Sequence, residues 1–232
     1  DLGDENYPVV QRVLLDDFPT HVLAHPDGKR FIVGGLKHFY IFEIVDGRLV
    51  KVSQSPQAHG FSCFWIHPRG DRLIATQLIP DGPLVPGKFT PLSKPSTVQW
   101  YAIEGNRIRH LSEVKVKPGL QTALLPASMI LRISPDGRLA LICQRATNSG
   151  RDFCDVLIAD LTLEKPQITS VIKQASDGLE SFAFHPNGKM AVATGLGTDH
   201  NSIAVIDIAS KPARLLYTMD AKGIGQGIEF TP

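Results

Sequence analysis

The sequence predicts an all-β protein: a β-propeller of four-stranded antiparallel blades, four of them complete, forming part of a longer ring of about seven blades. Three observations carry this expectation. The same thirteen-residue phrase occurs four times, the phrase recurs at blade-sized intervals, and no segment carries a helical stripe. The phrase reads "LAHPDGKRFIVGG" (Leu23–Gly35), "WIHPRGDRLIATQ" (Trp65–Gln77), "RISPDGRLALICQ" (Arg132–Gln144) and "AFHPNGKMAVATG" (Ala183–Gly195). In each, a Pro-x-Gly turn signal separates two short apolar runs. The turn prolines Pro26, Pro68, Pro135, Pro186 and the final Pro232 are spaced 42, 67, 51 and 46 residues apart. Blades of four strands take roughly 40–50 residues each, so the longest interval fits if about twenty residues are inserted.

Each unit divides into four strands. The first carries apolar residues four and two positions before the proline: Val22 and Ala24, Phe64 and Ile66, Leu131 and Ile133, Phe182 and Phe184, Ile228 and Phe230. Period two is the strand signature. The second strand follows the turn, as in "RFIVGG" and "KMAVATG". The third reads "HFYIFEI", "TVQWYAI", "DVLIADL" and "SIAVIDI". The fourth reads "RLVKVSQ", "IRHLSEV", "QITSVIK" and "ARLLYTM". A single blade cannot bury both its faces, so neighbours must stack. This gives one propeller domain over 1–232, with blades at about 20–56, 57–119, 120–176 and 177–222. Segments 9–17 and 224–232 read as the outer and inner strands of a further, incomplete blade.

Composition narrows the function classes. The chain has 232 residues, 43% of them apolar and 20% charged, with a formal net charge of +1. Scattered basic residues at near-zero net charge argue against nucleic acid as a partner. No apolar run approaches the length of a membrane span. The opening "DLGDENYP" has no basic or apolar leader pattern, consistent with a leader already removed or with excision from a longer chain. Three cysteines, Cys63, Cys143 and Cys154, include no C-x-x-C pair, so a structural zinc site is not expected. Cys143 and Cys154 lie in adjacent expected strands and could pair, but small buried thiols are the favoured reading.

His25, His67 and His185 each precede a turn proline, with Ser134 and Thr231 in the other units. Equivalent places in different blades are too far apart to share an ion. A hydrogen bond within the turn is the expected role, and no metal or cofactor is expected. The "GIGQG" at Gly223–Gly227 opens no helix, and neither a G-x-S-x-G elbow nor a P-loop is present.

The loops divide into two sets. Turns joining first to second and third to fourth strands are tight. Loops joining second to third strands, and the links between blades, are long and polar. Function is expected on that long-loop face. His21, His59 and Glu180 lie at or just before first strands, near the expected channel, and are the catalytic candidates for general acid–base work. His38, Arg145, Arg151, Asp199, His200 and Gln226 are the candidates for binding a small polar or anionic molecule, with Asp152 beside them. The Pro-rich insertion Pro80–Ser96 carries Leu84, Val85, Lys88, Phe89 and Lys94, an apolar tip flanked by cations that suits a protein partner.

The phrase "HPNGKMAVATGLGTDHNSIAVIDIASKPARLLYTM" resembles the YVTN-type propeller repeats of bacterial and archaeal proteins. "HPDGKRFIVGG…FYIFEIVDGRLVKV" resembles the lactonase-like seven-bladed propellers, a broad group that includes the heavy subunits of quinoprotein amine dehydrogenases. Glu43, Tyr101, Asp160 and Asp207 stand where a WD dipeptide would close the third strands, so the WD-repeat pattern is missing. The YVTN resemblance implies a non-catalytic ligand- or protein-binding module, periplasmic or extracellular rather than cytoplasmic. The lactonase resemblance implies a hydrolase of a sugar lactone, and the dehydrogenase resemblance an electron-transfer subunit. Fold does not choose among them.

Overall fold

The computed structural model describes residues 11–56, 61–77, 95–116, 130–145, 153–177, 179–195, 203–221 and 227–230. These residues form sixteen strands in four antiparallel sheets, each ordered as the strands follow in the chain, and no helix is present among them. The first sheet holds β1 (Pro19–Ala24), β2 (Arg30–Gly35), β3 (Phe39–Val45) and β4 (Arg48–Gln54). The second holds β5 (Phe61–Ile66), β6 (Arg72–Gln77), β7 (Ser96–Glu104) and β8 (Arg107–Val116). The third holds β9 (Leu131–Ile133), β10 (Leu139–Arg145), β11 (Phe153–Asp160) and β12 (Gln167–Asp177). The fourth holds β13 (Leu179–Phe184), β14 (Met190–Gly195), β15 (Ile203–Asp207) and β16 (Arg214–Met219).

The repeat is visible in the hydrogen bonds as well as in the sequence. In every unit the residue before the turn proline accepts from the glycine three positions on: Gly28 to His25, Gly70 to His67, Gly137 to Ser134 and Gly188 to His185, at 2.8–3.0 Å. All four glycines have positive φ, between 68° and 75°, where a side chain is strained. A bulge recurs in every outer pairing, leaving Val52, Leu111, Thr169 and Leu216 without a partner across the ladder. A second bulge recurs at the start of three inner strands and leaves Thr20, Ser62 and Glu180 as the extra residue. Bulges of this kind add twist and re-aim side chains.

The sheets stack as successive blades. Inner strands β1, β5, β9 and β13 neighbour one another in that order, and outer strands β4 and β8, and β12 and β16, also meet. Three apolar cores fill the three gaps. Phe39, Ile41, Phe64 and Leu73 lie between the first and second sheets. Ile74, Trp100, Leu131 and Ile142 lie between the second and third. Leu141, Val156, Phe182 and Ile206 lie between the third and fourth. A fully buried side chain such as Phe64 contributes about 1.5–3 kcal/mol. The apolar pair before each proline points back at the preceding sheet. Phe64, Leu131 and Phe182 are therefore sealed, at 0–1% exposure. Val22, in the same place in the first sheet, has no described sheet behind it and is 58% exposed.

The four sheets form an open arc among the described residues. Residues 11–17, read from the sequence as an outer strand, make no strand pairing. Gln11 instead grips the edge of β4 with its side chain, accepting from Leu49 N at 2.8 Å and donating to Leu49 O at 2.9 Å. The Asp17 carboxylate caps the β2–β3 loop by accepting from Lys37 N and His38 N. Residues 227–230 are likewise irregular. Cys143 and Cys154 are not joined by a disulfide. They bracket one residue of the fourth sheet: Cys143 Sγ donates to Leu179 O at 3.9 Å, and Leu179 N donates to Cys154 Sγ at 3.3 Å. No helix among the described residues is long and apolar enough to cross a membrane.

Candidate functional site

The inner strands bring together residues three and five positions before the turn proline. These places hold His21 and Leu23 in β1, Cys63 and Trp65 in β5, Arg132 in β9 after Ile130, and Ser181 and Ala183 in β13. Gly227 and Glu229 hold them in the final segment. Because a strand alternates its faces, these side chains point away from the sealed apolar pair and towards the next sheet.

A connected line of contacts follows. His21 Nδ1 lies 3.5 Å from Cys63 Sγ, and its ring lies 5.3 Å from Phe64 and 6.4 Å from Trp65. The Arg132 guanidinium stands over the Trp65 ring at 5.2 Å. Arg132 Nη1 donates to Phe182 O at 2.6 Å, and Nη2 pairs with Glu229 Oε1 at 2.7 Å. Arg132, in the third sheet, thus contacts the second and fourth sheets and the final segment, and is held in one orientation by a ring, a carbonyl and a carboxylate. The Glu229 side chain is 73% exposed, against 22% for Arg132.

The protonation states follow from burial. Loss of solvent lowers the pKa of His21 below the usual 6.5, so the ring is neutral near pH 7. Burial pushes the Cys63 thiol up to about 11, against weaker opposing hydrogen bonds from the Leu131 and Phe64 backbone. A protonated thiol is a poor nucleophile. His21 has a thiol and two rings as neighbours and, among the described residues, no carboxylate within hydrogen-bonding reach.

His38 lies in the β2–β3 loop. Its Nδ1 donates to Ser55 O at 3.0 Å, and its ring meets Tyr40 edge-on at 5.9 Å. Burial raises the Tyr40 pKa, and the hydrogen bond that Tyr40 donates to Asp16 Oδ1 raises it further. Glu180 is the unpaired bulge residue of β13, and Arg145 ends β10 opposite Cys154. His59, Arg151, Asp152, Asp199, His200 and Gln226 lie outside the described residues, as do Leu84, Val85, Lys88, Phe89 and Lys94 of the insertion. Among the described residues no group of three His, Cys, Asp or Glu side chains could hold a metal ion.

Trp65 and Arg132 were not singled out in the sequence. The readable signal was the apolar pair that alternates with them, and their own positions vary from unit to unit. A second set also went unread. Thr97 and Gln99 both donate to Gln77 Oε1, at 2.9 and 2.6 Å, and Tyr101 OH donates to Gln99 Oε1. All four are at most 7% exposed, a satisfied polar network where β6 and β7 meet the insertion.

No family model and no curated protein matches the chain. Solved structures do resemble it. One is a protein of unknown function from Desulfotomaculum acetoxidans, at 16% identity and a TM-score of 0.68, matched over 91% of this chain and 59% of that one. Another is the periplasmic gluconolactonase of Pseudomonas aeruginosa, at 16% identity and a TM-score of 0.60, over 88% of this chain and 54% of that one. A third is hydrazine synthase of Kuenenia stuttgartiensis, at 19% identity and a TM-score of 0.60, over 91% of this chain and 51% of that one. The chain therefore spans a little over half the length of these structures. At such identities the likeness is one of fold, consistent with a multi-blade β-propeller.

Proposed function

We propose that the chain is a ligand-binding β-propeller module without catalysis of its own, which holds a small polar or anionic molecule against its inner strands and long-loop face. Arg132 carries the reading. It is a guanidinium clamped on Trp65 whose carboxylate partner, Glu229, is mostly in solvent. A ligand carboxylate or phosphate can displace Glu229 and take a charge-assisted, geometrically fixed pair at little reorganisation cost. The protonated Cys63, and a His21 whose neighbours among the described residues are a thiol and two rings, support binding over turnover. His38, Arg145, Arg151, Asp199, His200 and Gln226 are proposed as the outer wall of this site. Leu84, Val85, Lys88, Phe89 and Lys94 are proposed as a protein contact. A location outside the cytoplasm is part of the proposal, supported by the periplasmic gluconolactonase of like fold.

A second reading, a lactonase-like hydrolase using His21, His59 and Glu180, is favoured by one observation. Glu180 is the extra residue of an inner-strand bulge, a device often found beside active sites. One experiment separates the two. The protein is titrated calorimetrically with gluconate and separately incubated with gluconolactone. The first reading expects saturable binding that R132A abolishes, with lactone hydrolysis no faster than in buffer. Accelerated hydrolysis that E180Q abolishes would establish the second reading, and neither binding nor turnover would overturn both for this chemistry.

A further inference from the structure

The third unit breaks the turn pattern, and a cleft lies where it does so. His25 and His67 each reach across to the turn glycine of the next sheet, with Nε2 at 2.7 Å from Gly70 O and 3.0 Å from Gly137 O. Ser134 stands in the same place in the third sheet and is too short to reach. It stays inside its own turn, donating to Asp136 Oδ1 at 2.6 Å and accepting from Leu139 N at 3.0 Å. The next glycine, Gly188, accordingly has open space within 4 Å of where a Cβ would stand.

Between these turns, on the tight-turn face, the third and fourth sheets enclose a cleft of about 500 Å3. That is the size of a small-molecule site. Its floor is apolar, with Leu139, Ile158 and Ile208, and Arg138, Lys211 and Thr162 also line it. The lining carboxylates are already supplied with donors. Asp160 Oδ1 accepts from Thr162 N at 2.8 Å and Thr162 Oγ1 at 2.6 Å. Asp136 Oδ1 accepts from Ser134 Oγ and Arg138 N. Neither Arg138 nor Lys211 makes a side-chain ion pair within 4 Å among the described residues, although from further off both help hold the Asp160 carboxyl below the usual carboxylate range. The neighbouring cleft between the second and third sheets differs on both counts. His67 is seated there, and its Arg69 and Arg72 face Asp71 at 3.5 and 3.9 Å.

We propose that the cleft between the third and fourth sheets binds a compact organic anion, its apolar body on Leu139, Ile158 and Ile208 and its carboxylate or phosphate between Arg138 and Lys211. The site is separate from the inner-strand site and does not depend on it. Two cations that make no close ion pair, set over an apolar floor beside carboxylates already holding Thr162 and Ser134, suit an acceptor-rich head on an apolar body.

The test titrates the intact chain with benzoate and with phenyl phosphate while amide resonances of Arg138 and Gly188 are followed by NMR. Saturable shifts with at least one probe are expected, and the stronger probe identifies the head group. R138A and K211A should each weaken binding by about tenfold, whereas R69A in the other cleft should leave it unchanged. S134H should fill the corner beside Gly188 and also weaken binding. Absence of saturable shifts with both probes, or binding that survives R138A combined with K211A, overturns the proposal. Unchanged binding in S134H overturns the link to Ser134.

Discussion

The His25 ring crosses from the first sheet to the second and hydrogen-bonds the Gly70 carbonyl at 2.7 Å. His67 repeats the contact to Gly137 one sheet further on, at 3.0 Å. A carbonyl only accepts, so Nε2 carries the proton in both rings. In both, Nδ1 accepts from a backbone N–H of its own turn at 3.2 Å. The histidine of the repeated phrase is thus a tie between blades. Removing it leaves a buried carbonyl without its partner, so His25→Ala and His67→Ala should each cost about 1–3 kcal/mol in urea unfolding.

The glycine on the receiving side should be more sensitive than its equivalent in the first unit. A Cβ on Gly70 would stand 2.7 Å from His25 Cε1, whereas one on Gly28 would meet nothing within 4 Å. Both have positive φ, so Gly28→Ala should cost only the backbone strain, about 1–2 kcal/mol. Gly70→Ala should cost visibly more by thermal and urea unfolding. Equal losses would mean that the close approach of His25 carries no energy.

Stability should fall on mild acidification. Burial is the largest influence on His67 and lowers its pKa below 6.5. The folded state therefore prefers the neutral ring. Its contribution is present above pH 6.5 and is lost as the pH falls from there through the lowered folded value, because the unfolded chain takes up the proton first. Urea midpoints between pH 7.5 and pH 5 should show this slope, and His67→Asn should flatten it. His21, also lowered by burial, adds to the same window.

The three thiols should be silent in the native protein. Cys143 and Cys154 are fully buried, and the Cys63 pKa of about 11 keeps it protonated at pH 8. A chromogenic disulfide reagent should titrate three thiols after denaturation and react only slowly before it. A count of one after denaturation would show that Cys143 and Cys154 are joined.

The parts of the fold that were legible in the sequence are those that repeat. Pro26, Pro68, Pro135 and Pro186 mark the turns, and period-two apolar pairs such as Phe182 and Phe184 mark the inner strands, because turn chemistry and burial constrain every unit alike. The bulges were illegible. The unpaired residues Val52, Leu111, Thr169 and Leu216 are ordinary strand residues that neighbouring paired positions also hold, since a bulge is a matter of register. The cross-sheet reach of His25 and His67 was missed for a related reason: the acceptor is a backbone carbonyl, and no sequence spacing announces one. Arg132 and Trp65 escaped because the inner-strand positions alternating with the apolar pair differ in residue type between units, which removes the periodic signal that exposed the core.

Anion binding at the inner strands is tested most directly by the two indole N–H resonances. Trp65 lies beneath Arg132, while Trp100 is 1% exposed in the core between the second and third sheets and serves as an internal reference. Titration with gluconate, read by 15N-resolved NMR, should shift the Trp65 indole saturably, leave Trp100 in place, and lose the shift in R132A. An unmoved Trp65 indole at saturating gluconate, or an equal shift in R132A, would rule out anion binding at Arg132.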